Sequence, residues 1–233
     1  MQGRDRGGRD SLDRVAAEVV ECAACPRLVE WRQEVARQRR AAFRDEEYWG
    51  RPVPGFGDPQ ARLLVAGLAP AAHGGNRTGR VFTGDRSGDW VFGALWRAGY
   101  ANQPTSTRRG DGLALTGCYI TAAVRCAPPA NRPTPVERDR CRPYLDRELT
   151  LLSELRVIVV LGQFALDAVC RVLDVRPRPR FGHLTEIPAV GRPVGPPLSL
   201  LCSFHPSQQN TFTGKLTQEM FDAVFARARQ LTG

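Results

Sequence analysis

Four short apolar runs alternate along this chain with segments of helical pattern, and this alternation limits the fold more than any other feature. The runs lie at 62–68, 119–124, 157–161 and 198–203. None shows the strict two-residue periodicity of a half-exposed strand, which indicates strands that are buried on both faces. The sequence therefore predicts an α/β fold, a three-layer α/β/α sandwich around a central, mainly parallel four-stranded sheet.

Helical patterns fill much of the remaining chain. We expect helices at 11–20, 28–40, 89–98, 136–153, 164–173 and 217–231. No linker-like segment divides the sequence, so residues 1–233 are expected to form a single domain. The charged, Gly-rich residues 1–10 are expected to be disordered.

The chain carries a formal net charge of +9, because 33 Lys and Arg outnumber 24 Asp and Glu. This balance is typical of proteins that bind a polyanion such as nucleic acid, although an arginine-rich composition can also arise without selection for binding. No apolar run approaches the roughly 20 residues that span a bilayer, and the charged N-terminus lacks the pattern of a signal peptide. We therefore expect a cytoplasmic protein with no membrane partner.

The seven cysteines divide into two groups. Three lie in apolar stretches and are expected in the core, namely Cys118, Cys170 and Cys202. Four lie in polar segments and predict one metal site, namely Cys22, Cys25, Cys126 and Cys141. Thiolates suit zinc or an iron–sulfur cluster, and one CxxC pair followed by two widely spaced cysteines favours the larger cluster. A redox dithiol at the CxxC pair is a third alternative, which would leave the other two cysteines without a role.

Unusual residues follow the predicted strands. The segments GLAPAAHGGNRTGRVFTGDRSG (67–88), RCAPPANRPTP (125–135) and FHPSQQNTFTG (204–214) are rich in Gly, Pro, Asn, His and hydroxyl residues. Ligands of parallel sheets bind beyond the carboxyl ends of the strands. Gly and Pro allow the backbone to approach a ligand, and Asn and His can hydrogen-bond to it. The three segments together predict one shared pocket, although each alone is compatible with an ordinary loop.

Taken together, these segments resemble the uracil-DNA glycosylase superfamily, and most closely its family 5. GLAPAAHGGN (67–76) is similar to motif A, GRVFTGDRSG (79–88) to the segment with a base-stacking aromatic residue, and HPSQQN (205–210) to the His-led motif B. The four cysteines in polar segments follow the order and spacing of the iron–sulfur families 4 and 5. The resemblance implies a [4Fe-4S] cluster and a monomer that acts on DNA containing deaminated bases, double-stranded or single-stranded.

Two departures from the uracil-specific families bear on the substrate. Motif A offers Ala69 and Pro70 where those families place a carboxylate or amide, and Ala122 stands where family 4 has an Asn that reads the uracil edge. A pocket that lacks a hydrogen-bonding reader rejects other bases less strongly. We therefore expect a broad substrate range that includes uracil and hypoxanthine.

Breaking a glycosidic bond requires a carboxylate to stabilise the cationic sugar or orient water, and a donor to stabilise the departing base. Because motif A has no carboxylate or amide side chain at the expected position, we predict that Asp85 is this carboxylate. Its alternative role is the N-cap of the following helix. We predict His205 as the donor. Asn131 is a further catalytic candidate, with a turn-forming Asn as the alternative.

Residues around these candidates are expected to bind the base. Phe82 suits a platform on which a flipped base stacks, with core packing as the alternative. The remaining predicted substrate-binding residues are Gly67, Ala69, Pro70, His73, Ala122 and Asn210.

Contacts with the DNA backbone and the strand gap are also predicted. Arg77, Arg80 and Lys215 are candidates for phosphate contacts. Residues 207–210 are candidates for entering the minor groove and holding open the gap that the flipped base leaves. Lys215 is the only lysine, so we expect a monofunctional enzyme without a Schiff-base step. A non-enzymatic iron–sulfur DNA-binding redox sensor and a zinc-bearing nucleotide hydrolase are the competing hypotheses.

Overall fold

The four predicted strands form the centre of a six-stranded sheet in the computed structural model, which describes residues 10–192 and 194–233. The strands are β1 (Phe56–Gly57), β2 (Leu63–Gly67), β3 (Cys118–Ala122), β4 (Val157–Leu161), β5 (Glu186–Val190) and β6 (Leu198–Ser203). Their order across the sheet is β1-β3-β2-β4-β6-β5. The central four are parallel, and the two edge strands are antiparallel. The predicted fold class is confirmed, but the predicted number of strands was too small.

Eight α-helices accompany the sheet within the described ranges. They are α1 (Leu12–Val20), α2 (Pro26–Gln38), α3 (Gly75–Thr78), α4 (Arg86–Arg97), α5 (Pro135–Leu151), α6 (Gln163–Val172), α7 (Gln208–Phe212) and α8 (Gln218–Thr232). Short 3-10 helices lie at Ala41–Phe43 and Pro129–Asn131. The six predicted helices correspond to α1, α2, α4, α5, α6 and α8. The two short helices α3 and α7 were not predicted.

The central strands are buried on both faces, as their continuous apolar runs predicted. In β2, Leu63 and Val65 pack into the core beneath α4 and α8. Their neighbours Leu64 and Ala66 pack into the core on the opposite face, beneath α5 and α6. Alternate residues of one strand therefore supply two separate cores, which is the packing of a three-layer sandwich.

Polar caps set where several helices begin. Ser11 caps α1, Thr217 caps α8, and Thr134 forms a capping box with Glu137 at the start of α5. Each side-chain oxygen accepts a hydrogen bond from a backbone N–H that the first turn of the helix leaves unpaired. The polar loops after the strands are thus followed by helices with fixed starting points.

The chain direction across the sheet reverses between β2 and β4, because β2 connects outward to β3 and the chain then returns to β4. Such a reversal opens a crevice beyond the carboxyl ends of the two strands. The residues that follow β2, β4 and β6 are therefore the ones brought together.

The expected disorder of 1–10 concerns residues that, up to residue 9, lie outside the described part of the chain. Asp10 is described, and its carboxylate lies 2.7 Å from the Arg147 guanidinium. Among the described helices, none is both long and apolar enough to cross a membrane.

Candidate active site at the carboxyl ends of the parallel strands

The floor of the candidate site is formed by the last residues of β2 and β3. Gly67 and Ala122 are paired in register, and Ala122 is fully buried. The Phe82 ring lies directly against Gly67, since a Cβ added to Gly67 would be 2.6 Å from Phe82 Cζ. Glycine at 67 is therefore a steric requirement for the position of the Phe82 ring.

Phe82 occupies a strained position between motif A and α4. Its backbone has a φ of 54°, a left-handed conformation that is uncommon for an aromatic residue. The turn continues tightly, because a Cβ on Gly88 would lie 1.8 Å from the Phe82 carbonyl oxygen. The Phe82 side chain is 6% exposed and belongs to the core beneath α4 and α8, so the core-packing alternative holds. Its role as a stacking platform stays a prediction.

His205 follows β6 and faces Phe82. Their ring centroids are 6.1 Å apart with an interplanar angle of 40°. The imidazole nitrogen atoms form no hydrogen bond with any described residue. Burial lowers the pKa of His205 to about 4, so the ring is neutral at physiological pH. A neutral imidazole without an internal partner has one N–H available to donate to a ligand.

The backbone of His205 is held by the start of α7. The Asn210 side-chain amide donates to the His205 carbonyl oxygen at 2.9 Å, and the Ser207 backbone N–H donates to the same atom at 2.8 Å. Asn210 therefore positions motif B through its amide nitrogen. Contact of Asn210 with a base stays a prediction.

Asp85 is the N-cap of α4, so its alternative structural role is confirmed. Oδ1 accepts a hydrogen bond from the Gly88 backbone N–H at 3.0 Å. Oδ2 lies against motif A instead, because a Cβ added to Gly74 would be 2.0 Å from it. Burial raises the pKa of the Asp85 carboxyl above its ordinary value, although hydrogen bonds from Gly88 and Ser87 act in the opposite direction. One oxygen of this carboxylate is thus used by the helix and the other faces the motif A loop.

The other motif A residues lie in three different environments. Ala69 packs against the cluster of buried cysteines, and Pro70 lies under the turn at Gly75. His73 Nδ1 is 3.0 Å from the Tyr48 hydroxyl. Burial and the nearby arginine charges lower the pKa of His73. His73 is therefore already paired with a tyrosine, unlike His205.

Asn131 is not joined to these groups by any contact among the described residues. It ends the 3-10 helix at Pro129–Asn131 with a φ of 55°, and its backbone N–H donates to the Pro128 carbonyl oxygen at 3.2 Å. Its side chain is exposed. The turn-forming alternative accounts for its conformation, and its catalytic role stays a prediction.

Two of the predicted phosphate contacts are contradicted by burial. Arg80 is 8% exposed and donates to Asp111 and Ser106, both at 2.6 Å. Arg77 is also 8% exposed, and it is bonded to Glu46 and to the Gly84 carbonyl oxygen. Because both guanidinium groups are internal links of the fold, neither is free to meet a phosphate. Exposed and buried arginines cannot be distinguished by residue type alone.

The third predicted phosphate contact, Lys215, is exposed beside motif B. Its Nζ lies 4.9 Å from the centroid of the Phe204 ring. Phe212, at the end of α7, is 66% exposed, and the Arg86 guanidinium lies 4.5 Å from its ring centroid. The rim beside His205 therefore carries two exposed cations and an exposed aromatic ring.

Three of the four cysteines predicted to bind metal pack together in the core. Cys25, Cys126 and Cys141 are buried in one small apolar cluster with Leu28 and Val124. All seven cysteines of the chain are free thiols. Cys22 lies close enough to interact electrostatically with the thiols of Cys126 and Cys141. Among the described residues, no three His, Cys, Asp or Glu side chains are grouped around the position of a single metal ion.

Each of these thiols has a different polar neighbour. Burial raises the pKa of Cys25, Cys126 and Cys141, and nearby positive charges act in the opposite direction. The pairs are Cys25 with Arg140, Cys126 with Arg32, Cys141 with Arg125, and Cys22 with Tyr144. Burial is the larger effect, so these thiols are neutral in the protein alone, and the three arginines offset only part of it.

Sequence reasoning missed three residues that shape the site, Gly74, Gly88 and Asn76. The two glycines provide space for Asp85 and Phe82, and Asn76 is completely buried. The only signal was the density of glycine in 67–88, which does not identify the side chain that each glycine accommodates.

A family model described as the uracil DNA glycosylase superfamily matches residues 54–229. This segment contains the whole sheet and the residues that surround Asp85, Phe82 and His205. The chain therefore belongs to the uracil-DNA glycosylase superfamily.

Relatives that span nearly the whole chain narrow this class. The chain is 52% identical over 230 residues to a Mycobacterium tuberculosis protein named Type-5 uracil-DNA glycosylase, covering 97% of this chain and 84% of that protein. Proteins of the same name match from Thermus thermophilus, with 52% identity over 91% of this chain and 94% of the relative, and from Pyrobaculum aerophilum, with 45% identity over 94% and 93%. Within the superfamily the chain belongs to the type-5 family, and the resemblance inferred from its motifs is confirmed.

Proposed function

We propose that this protein is a monofunctional DNA glycosylase, a hydrolase that cleaves the N-glycosidic bond of uracil and of other deaminated bases such as hypoxanthine in DNA. It leaves an abasic site for base excision repair. The names of its relatives support the activity on uracil. The observation that carries the proposal is that the turn after Phe82 holds Asp85, a carboxylate with only one oxygen used by the helix, while the neutral imidazole of His205 lies beside the Phe82 ring without a hydrogen-bond partner among the described residues.

Asp85 stabilises the sugar as the bond breaks. Cleavage passes through an oxocarbenium-like sugar, so an adjacent carboxylate lowers the barrier by charge stabilisation or by orienting water. Oδ1 is fixed by the first turn of α4, which leaves Oδ2 with a defined direction. Partial burial weakens solvation of the carboxylate and strengthens its interaction with a developing cation.

His205 stabilises the departing base. The base leaves as an anion, and a neutral imidazole N–H can donate to its carbonyl oxygen without itself losing or gaining a proton. The low pKa of His205 keeps it in this neutral form. Pro206 and the hydrogen bonds to the His205 carbonyl oxygen hold the ring in place.

The broad specificity follows from what surrounds these two groups. Ala69, Pro70 and Ala122 offer no side-chain hydrogen bond to a base edge. Discrimination by such a site is weak, because a wrong base leaves no buried polar side chain unpaired. Uracil and hypoxanthine both carry a carbonyl oxygen that His205 can address.

DNA approaches as a duplex over the rim that carries Arg86, Phe212 and Lys215, and a monomer suffices for this. Exposed cations bind the phosphate backbone, and the target base is flipped toward Phe82. Flipping is easier from a mismatch, so U·G should be a better substrate than U·A. Lys215 contacts phosphate in this arrangement, and the reaction proceeds without a Schiff base.

A [4Fe-4S] cluster held by Cys22, Cys25, Cys126 and Cys141 completes the proposal. The donor set supports this group, since Cys25, Cys126 and Cys141 are buried in one cluster, Cys22 lies within electrostatic range of them, and the arginines beside the buried three offset the charge of an anionic cluster. When bound, the cluster supplies thiolate bonds that join the turn before α2 to the loop after β3 and to α5. Iron and sulfide analysis with the visible absorption spectrum of the purified protein distinguishes it from zinc.

Single-turnover base release on matched duplexes tests the function. The duplexes carry U·G, U·A, hypoxanthine or no lesion, and abasic sites are detected by alkaline cleavage. We expect release of uracil and hypoxanthine by the wild type, severe loss in Asp85→Asn, and little change in Asp89→Asn, which alters an exposed carboxylate of the same helix. Duplex binding without any release, by protein with its cluster intact, would instead favour a DNA-binding redox sensor.

A further inference from the structure

Arg32 of α2 lies where the cysteine region meets the motif A loop. Its side chain is 5% exposed, and its guanidinium Nη1 donates to the Gly50 carbonyl oxygen. The Gly50 backbone N–H donates to the Asn76 carbonyl oxygen at 3.0 Å. The Asn76 side-chain amide donates in turn to the Arg32 carbonyl oxygen at 3.1 Å. Three segments that are distant in sequence are thus joined in a closed ring of hydrogen bonds.

Arg32 lies one turn after Leu28, and Leu28 packs with Cys25, Cys126 and Cys141 in one buried cluster. The positive charge of Arg32 acts on the Cys126 thiol, whereas the other cysteines have different neighbours. Arg32 Nε is buried and has no hydrogen-bond partner among the described residues. A buried, unpaired donor of a charged group is costly, which is consistent with an acceptor such as cluster sulfur being part of the intact environment.

Asn76 connects this ring to the catalytic carboxylate. It is fully buried and lies two residues after Gly74, whose backbone is in contact with Asp85 Oδ2. The Asn76 backbone N–H also donates to the Ala71 carbonyl oxygen at 3.0 Å, which closes the motif A loop on itself. A displacement of Asn76 would therefore move the surface on which Asp85 rests.

We propose that Arg32 is a positioning residue that couples the cysteine-bound cluster to the motif A loop, and through Asn76 and Gly74 fixes the orientation of Asp85. This inference rests on the proposed function and on its iron–sulfur cluster. It assigns two separable tasks to one side chain: the charge acts on the cluster, and the ring of hydrogen bonds acts on the loop.

Four variants of the holoenzyme separate these tasks. Arg32→Met removes charge and hydrogen bonding, Arg32→Lys retains the charge, and Asn76→Ala removes only the side-chain link to the loop. Arg37→Met is the matched control, because Arg37 lies on the same helix and is exposed. The measurements are iron content, the cluster's reduction potential, hydrogen–deuterium exchange of peptides covering 69–79, duplex affinity and the single-turnover rate.

We expect Asn76→Ala to retain the iron content, the reduction potential and the duplex affinity of the wild type. Its backbone amides in 69–79 should exchange hydrogen faster. Its single-turnover rate of base release should be about tenfold lower, since small misplacements of a catalytic group cost this much or more. Arg32→Met should show the same loop changes and also a lower reduction potential, because loss of a nearby positive charge disfavours the reduced cluster. Arg32→Lys should restore the potential but not the loop, since an ammonium lacks the planar fork of arginine. Arg37→Met should match the wild type.

The double variant Arg32→Met with Asn76→Ala should be no slower than Arg32→Met, because both changes break one ring. Rate losses that multiply, or unchanged exchange in 69–79 in both single variants, would overturn the coupling. Should Arg32→Met fail to retain its cluster, Arg32→Lys and Asn76→Ala decide the same question. A wild type that releases no base refutes the proposed function, whereas exchange and potential still test the role of Arg32.

Discussion

The cysteine region and the candidate active site both bury polar groups, but they satisfy them in opposite ways. Around the cysteines, each thiol has its own polar neighbour, such as Arg32 beside Cys126 and Arg125 beside Cys141, although buried Nε atoms of both arginines have no hydrogen-bond partner among the described residues. In the active site, His205 has no hydrogen-bond partner among the described residues, and Asp85 uses only one oxygen for the helix.

This difference separates a region that supports structure from one that awaits a ligand. Buried charge is stable only when it is compensated, and Arg125 is paired with the buried Glu148 carboxylate at 2.6 Å. The arginines beside the cysteines therefore supply positive charge that the proposed anionic cluster would meet. Unused donors and acceptors at a partly accessible surface mark where a substrate supplies the missing partner. The comparison predicts that changes at the cysteines damage stability first, and that changes in the active site damage catalysis first.

The largest effect is expected from Cys126→Ser. Loss of one ligand would leave the proposed cluster incompletely bound and Arg32 without the negative charge that the cluster would provide. We expect loss of most bound iron and a decrease in the free energy of unfolding of about 4 kcal/mol or more. Iron analysis and chemical denaturation measure both quantities. Cys170→Ser, which changes a buried thiol outside the cluster, should retain its iron. An iron-replete, fully stable Cys126→Ser protein would remove the structural half of the comparison.

Asp85→Asn should affect catalysis without unfolding the protein. Asn is as good an N-cap as Asp, so α4 should keep its start. We expect a single-turnover rate about a thousandfold lower.

The pH dependence of the wild type gives a separate prediction for Asp85. The carboxylate must be ionised to act, and burial raises its pKa. The wild-type rate of base release should therefore decline on acidification at a higher pH than an ordinary aspartate would give. Rates measured from pH 4.5 to 8.5 should show this decline only in the wild type; an identical decline in Asp85→Asn would assign it to another group.

His205→Gln should lower the single-turnover rate by about a hundredfold, the effect of removing one donor to a developing anion. His183→Gln is the matched control, because His183 is hydrogen-bonded internally to Met220 and Phe204 and its substitution should affect mainly stability.

The pKa of His205 also predicts how stability depends on pH. The unfolded state binds a proton near pH 6.5 and the folded state only near pH 4. Stability should therefore fall as the pH drops through this window. Denaturation curves should show a shallower fall in His205→Gln.

The sequence was informative where one local pattern determines the structure. Continuous apolar runs identified the four central strands, and the N-cap that was only the alternative role of Asp85 is present in the structure. It was uninformative where the structure of a segment depends on a partner that is distant in the chain. The edge strand β1 has only two residues, and β5 contains Pro188 and is partly exposed, so neither carries a strand pattern.

The site shows the same division. Motifs located Asp85, Phe82 and His205, but the burial of Arg77 and Arg80 depends on Glu46 and Asp111, each 31 residues away in sequence. The Arg32 ring likewise joins three segments that no local pattern relates. Pairs of polar side chains that are distant in sequence therefore could not be predicted from local sequence patterns.

The smallest predicted effect comes from a change in packing at the floor of the active site. In Gly67→Ala, the new Cβ would lie 2.6 Å from Phe82 Cζ, so the aromatic ring must shift away from the floor of the site. We expect a single-turnover rate about tenfold lower, because the flipped base is misplaced relative to Asp85 and His205. Duplex affinity and iron content should stay at wild-type values, since neither the rim nor the cysteines are touched. Gly191→Ala, whose Cβ would meet nothing within 4 Å, controls for the loss of a glycine. A wild-type rate in Gly67→Ala would mean that the position of the Phe82 ring serves the core alone.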